Sequence, residues 1–259
     1  MNVDKDTLNK LLSSLKSYNP TANTFSEAVA KVVLPVAIII VGIMWYMDFV
    51  DVKKQLTSSD ANMGFEFWIQ SSMKYVIGIM LITFSPMLID AVMYISSVIG
   101  HLINSVSLQG GHGSVSIPEI TKKAHGWEKF VIGWLQSVGR IGLWTNQIIA
   151  KLLIFLRFLM LYVMKAVAPI MIASYVSDEF KSVAIGYIKQ FTALIIQGFV
   201  LLLILKIYPV LINNDIFNVA ASGDVAQNLA AMFLVIAKAF VIAATLIGSQ
   251  VLTRRWMGV

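Results

Sequence analysis

Five ionisable residues stand inside long apolar runs of this chain: Asp90, Arg157, Lys165, Lys206 and Lys238. A charge at the bilayer centre costs at least about 2.5 kcal/mol, so such residues are expected to pair, to face water or to line a path for a charged solute. Asp90 follows Pro86 by four residues. That proline frees the carbonyl near Ile82, which Thr83, Ser85 or a neighbouring helix can satisfy. Lys151, Arg157 and Lys165 fall within an arc of about 120° and so share one side of a helix. The stems of Lys151, Lys165 and Lys206 are long enough to snorkel from near the span ends. Arg157 and Lys238 are deeper, and should face a bundle interior, a hydrated cavity or a carboxylate. Asp90 is the one acid counted within the spans, so the interior is expected to be net positive or partly hydrated.

Other chemistries find no footing. No G-x-x-x-x-G-K-[ST] phosphate loop occurs, and Gly110-Gly111-His112-Gly113-Ser114 lacks the lysine and opens no apolar helix. His101, His112 and His125 have no metal-ligand spacing. Cysteine is absent, which removes thiolate metal sites, disulfides and a cysteine nucleophile. No catalytic triad is recognisable, and Asp178-Glu179 reads as a helix-start signal after Ser177. Neither an enzyme nor a cofactor is expected.

The elements that must position the charges follow from composition. The 259 residues are 58% hydrophobic and 13% charged, with a mean hydropathy of +0.77. A soluble domain carries about 25% charge, so the excess apolar surface needs lipid. Crossing a hydrocarbon core takes about 20 apolar residues. Five stretches qualify, at about 28–47, 75–99, 152–176, 191–212 and 229–252. They show no strand alternation, so the expected fold is all-α, a polytopic transmembrane helical bundle. Residues 1–27 form an extracytoplasmic segment in which Leu8, Leu11, Leu12 and Leu15 predict one short amphipathic, interfacial helix ended by the Tyr18-Asn19-Pro20 turn. Trp127 to Ile149 mixes three tryptophans with Glu128, Lys129, Gln136, Arg140 and Asn146, and reads as an interfacial or re-entrant helix leading into the third span, with a sixth span as the alternative. Pro86, Pro169 and Pro209 are candidate helix breaks.

Orientation is set by the cleaner C-terminal half. The loop from Asn213 to Asn228 carries Asp215 and Asp224 but no Lys or Arg, whereas Lys181 and Lys189 precede the fourth span and Arg254 and Arg255 lie in the tail. The positive-inside rule puts Ser177–Gln190 and the tail at 253–259 in the cytoplasm, and the N-terminus outside. A spanning tryptophan-rich helix would flip the N-terminus inward.

The polar landmarks carry a resemblance. Tyr18-Asn-Pro-Thr-Ala-Asn-Thr-Phe25 with Val33-Leu-Pro-Val-Ala37, then Phe65-Glu66, Lys74 and the Pro86-to-Asp90 span, look like the opening of one family. Arg157-Phe158, Leu161-Tyr162, Ala168-Pro169, Glu179-Phe180, Lys189-Gln190-Phe191 and Gln197-Gly198 continue it. The chain resembles the TrbL-like polytopic channel subunits of conjugative type IV secretion systems, in the branch found in Gram-positive elements, over most of Asn19 to Asn213. The resemblance implies a multi-pass, homo-oligomeric subunit of the bacterial cell membrane. Its partners would be separate ATPases, a coupling protein and bitopic scaffold proteins, with single-stranded DNA and its relaxase in transit. Arg157 would line or brace the path, and Asp178, Glu179, Lys181 and Lys189 would meet a cytoplasmic partner.

A secondary transporter for a small solute is the alternative, since intramembrane charges and span prolines also suit a broken-helix binding site. Ala239 and Ala243, with Ala244 and Gly248, add a small-residue surface for close helix approach.

Overall fold

A computed structural model describes residues 5–58, 65–106, 127–214 and 225–258. Among the described residues there are helices and no strand: α1 (Lys5–Leu11), α2 (Leu15–Tyr18), α3 (Pro20–Ser58), α4 (Phe65–Ser105), α5 (Trp127–Ala173), α6 (Lys181–Asn214) and α7 (Val225–Met257). Helices α3 to α7 each contain an apolar stretch of 29 to 44 residues, longer than one hydrocarbon crossing requires. The chain is an all-α, multi-pass membrane protein. The expected glycine-rich loop, His112, His125, Asp215 and Asp224 lie outside the described residues.

Burial is arranged for a lipid solvent. Val32 and Phe240 are 76% and 74% exposed, while Asn146, Arg157, Lys165 and Gln197 are all 4% exposed or less. Helix α4 buries Tyr75, Ile82, Ser85, Ile89, Met93 and Ser96 at steps of three, four or seven. That narrow stripe faces protein, while apolar side chains such as Met80, Phe84, Met87 and Tyr94 are exposed on the other faces, as a membrane span requires.

The helices belong to two compact units. One comprises Met1–Leu12, Val98–Arg157 and Ile195–Trp256; the other comprises Ser13–Ser97, Phe158–Leu194 and Met257–Val259. In the first unit, α5 and α7 pack through Ile132 and Leu135 against Met232, and through Leu143 against Val235 and Ala239. Gly142 makes this approach possible, since a Cβ there would stand 3.1 Å from that of Ala239. Of the small residues on α7, Ala239 packs inward and Gly248 faces open space. In the second unit, Ala37 and Val41 of α3 meet Tyr75 and Ile82 of α4, together with Ala173 and Val176 at the end of α5.

Four expectations are corrected. The N-terminal leucines lie on two helices rather than one, because the Ser14 hydroxyl caps α2 by accepting from Ser17 N–H at 3.2 Å. Leu11, Leu12 and Leu15 are buried in the protein instead of lying free at an interface. The Trp127–Ile149 segment leads into the third span, but as part of one continuous helix and not as a re-entrant one. It continues without a break into the third span, because its Trp134, Arg140 and Trp144 load the exposed face while Ile132, Leu135, Leu143 and Asn146 form the buried one.

Prolines 86, 169 and 209 lie inside continuous helices and break none of them. At Pro86 the freed carbonyl of Ile82 accepts from Ser85 Oγ at 2.7 Å. Thr83, the other local candidate, donates to Ile79 O at 2.8 Å instead. Lastly, Asp178 and Glu179 occupy the turn before α6, which starts at Lys181 rather than just after Ser177.

The absence of cysteine makes helix register directly measurable. A Cβ on Gly78 would stand 3.6 Å from the Cβ of Val176, within the disulfide range. Gly78→Cys with Val176→Cys is expected to cross-link on mild oxidation in membranes, read as a mobility shift. Met80→Cys with Val176→Cys should stay open, because Met80 is 56% exposed on another face. Cross-linking of the second pair and not the first would refute this packing.

Candidate functional site in the buried charges

Lys165 is the centre of the second unit. Its side chain is 0% exposed, and its ammonium bonds Asn23 Oδ1 at 2.8 Å, Glu27 Oε1 at 2.9 Å and both oxygens of Asp90 at 2.7 and 2.6 Å. Asn23 Nδ2 also donates to Glu27 Oε1 at 2.7 Å. Three helices therefore meet on one cation, with α3, α4 and α5 supplying Asn23 and Glu27, Asp90, and Lys165. Lys165 does not snorkel; burial without water makes pairing the only way to keep it charged. Glu27 stands one residue before the apolar run that begins at Ala28, so span length alone leaves it outside the membrane. The cluster thus holds two carboxylates against one buried ammonium.

The start of α3 is fixed beside this cluster. Asn19 Oδ1 accepts from Ala22 N–H at 3.0 Å, with Pro20 in the first helical position. Tyr162, one turn before Lys165, donates to Leu15 O at 2.7 Å and to Asn19 O at 3.3 Å. The Tyr18 ring stacks on Phe158, with centroids 3.8 Å apart and planes at 5°. The landmarks Tyr18-Asn19 and Phe158…Tyr162, distant in sequence, are in direct contact. No family model matches this chain, and no curated protein or solved structure matches it. The site is read from its own chemistry.

Arg157 and Gln197-Gly198 meet in the first unit. Arg157 is 4% exposed and donates from Nη1 to Leu11 O at 3.2 Å. Its guanidinium lies flat against Gly198, where a Cβ would come within 2.3 to 2.5 Å of Cζ and both Nη atoms. Gln197 is also buried, and its Nε2 has no hydrogen-bond partner among the described residues.

Lys206 does not snorkel either. It donates to Ile103 O at 3.4 Å, to Val106 O at 3.3 Å and to Asn104 O. It thereby closes off the carbonyls that every helix C-terminus leaves open, where a cation is also favoured by the helix dipole. The Lys238 side chain is half-buried, and its main-chain carbonyl accepts from the Tyr208 hydroxyl at 2.6 Å. Lys151 is exposed, unlike Arg157 and Lys165 on the same arc.

A second charge group of the α3 unit surrounds Asp48. Its carboxylate lies 2.5 Å from Lys74 Nζ and accepts from the Tyr75 hydroxyl. Asp178 stands 3.9 Å from the same Lys74, with its side chain 89% exposed. Of the other docking candidates, Glu179 and Lys189 are exposed, and Lys181 Nζ lies 5.4 Å from the centre of the Tyr175 ring. Spacing alone did not single out Asp48 and Lys74, which close α3 onto α4. Tyr75, sequence neighbour of Lys74, was the available sign that this end is polar by design. Among the described residues, no group of three or more His, Cys, Asp or Glu side chains could hold a metal.

Two substitutions test these contacts. Lys165→Met strands two carboxylates and is expected to destabilise the protein by about 3 kcal/mol. The low end of the usual range applies because the carboxylates are 37% and 39% exposed. Thermal unfolding in detergent would read this, and an unchanged midpoint would refute the role of the ammonium. Gly198→Ala forces the guanidinium off Leu11 O, with an expected loss of about 1–3 kcal/mol. Gly186→Ala, where a Cβ meets nothing within 4 Å, should change little by comparison.

Proposed function

We propose that the chain is a membrane-embedded channel or scaffold subunit of a conjugative type IV secretion system. On this reading it works as a homo-oligomer in the bacterial cytoplasmic membrane. The N-terminus is outside, the C-terminus is cytoplasmic, and separate ATPases, a coupling protein and bitopic scaffold proteins complete the machine. The observation that carries the proposal is the convergence of the landmarks. Tyr18 meets Phe158, Asn19 meets Tyr162, and Asp90 meets Lys165, three pairs within one compact unit, as residues defining a shared fold should.

The division of labour also fits. Lys165, Arg157 and Lys206 bond acceptors within the chain, which suits a rigid framework more than a bare conduit. Arg157 then acts as a brace, and the exposed Asp178, Glu179 and Lys189 remain for a cytoplasmic partner.

One observation favours the transporter reading. A cavity of about 390 Å³ beside Pro86 and Pro169 exposes Glu27, Lys31 and Asp90, and it falls within the size range of small-ligand sites.

An in-frame deletion in a mating donor, complemented in trans, separates the two. Loss of transfer by orders of magnitude, restored by the intact gene, is the expected result. Undiminished transfer, with saturable solute uptake by the chain alone in vesicles, would reverse the assignment.

A further inference from the structure

The cavity beside the Lys165 cluster has a chemistry of its own. It is bounded by Glu27, Lys31 and Leu34 of α3 and by Phe84, Met87 and Asp90 of α4. Lys165 lies wholly behind this surface, while the Asp90 and Glu27 side chains remain 37% and 39% exposed. One carboxylate charge is therefore not matched by Lys165, and on the cavity surface it stands beside the Lys31 ammonium. Lys31, one helical turn after Glu27, is exposed and acts electrostatically on the Glu27 carboxylate. The cavity therefore presents carboxylate oxygens on its floor and the exposed Lys31 ammonium on its rim. Around it the surface is apolar, with Met87 70% and Phe84 51% exposed.

The depth of the cavity suits one class of ligand. Lys74 precedes Asp90 by 16 residues, and Glu27 precedes Asp48 by 21. These separations correspond to about 24 and 31 Å of helix rise. The Asp48–Lys74 pair and the Glu27–Asp90 pair thus stand about one hydrocarbon thickness apart. With the first pair in one headgroup layer, the second lies at the level of the other.

We propose that this cavity binds the headgroup of an amine-bearing zwitterionic phospholipid. The lipid ammonium, with three N–H donors, meets the free acceptor sites of Glu27 and Asp90. The phosphate meets Lys31, and the acyl chains lie along the exposed faces of α3 and α4. A purely anionic headgroup would bring phosphate to the same lysine but leave the carboxylates repelling it. A choline headgroup has the right charge but no N–H to donate.

The test uses the full chain, purified and delipidated in detergent. Equal amounts of phosphatidylethanolamine, phosphatidylcholine and phosphatidylglycerol are then added, and bound lipid is counted by native mass spectrometry. Phosphatidylethanolamine should be retained about fivefold over either competitor, as expected for one partly buried charge contact. Glu27→Gln, which keeps an acceptor for Lys165 but removes the excess charge, should abolish that preference. Lys31→Met, at an exposed position, should lower phosphatidylethanolamine retention by a similar factor and serves alone if Glu27→Gln does not fold. Equal retention of all three lipids by the unaltered chain would overturn the proposal, leaving a carboxylate neutralised by a proton or by a basic residue of a partner helix. An unchanged preference in a folded Lys31→Met or Glu27→Gln protein would overturn it as well.

Discussion

A polar group buried away from water, whether by lipid or by packed helices, must find its partner within the protein. Much of this structure follows from that constraint. Lys165 holds Asn23 and Glu27 of α3 and Asp90 of α4 against α5. Arg157 and Lys206 satisfy main-chain carbonyls at Leu11 and at the end of α4. Asn146 donates to Ala239 O at 2.9 Å, joining α5 to α7. Apolar contacts alone would specify these helix pairs weakly, because lipid tails compete on equal terms with leucine and isoleucine. Polar contacts are selective, since a one-residue slip would leave a charge unmatched.

The same constraint makes the small residues meaningful. Gly198 leaves room for a guanidinium, Gly78 for Val176 and Gly100 for Leu12, each at a point where a Cβ would come within 2.6 Å or less of the neighbouring side chain. These glycines sit where a buried guanidinium, the turn after α5 and the N-terminal segment come close. The N-terminal segment is thereby part of the fold: Leu11 and Leu15 give carbonyls to Arg157 and Tyr162, and Leu12 lies against Gly100.

The fold class was legible because composition and span length are properties of the whole chain. The Ser85–Ile82 contact was legible too, because a proline names the carbonyl it frees four residues earlier. Pairing was harder to read. Lys165 has the stem length to snorkel, and nothing in its local sequence says that Asn23, Glu27 and Asp90 converge on it. Glu27 stood one residue outside the apolar run, so its membership depends on how far α3 extends. The tryptophan-rich segment misled because its polar residues were weighed by number, whereas their position on one face decides whether a helix can continue. The proline reading failed in the same way, since a neighbouring hydroxyl can supply what a proline removes.

The central claim is that Lys165 and Asp90 act as a pair that holds three helices together. A double-mutant cycle with Lys165→Met, Asp90→Asn and their combination, read by thermal unfolding in detergent, tests it most directly. The account predicts that the double variant is more stable than Lys165→Met alone, because removing the stranded carboxylate charge restores part of the loss. Strictly additive losses from the two substitutions would contradict it.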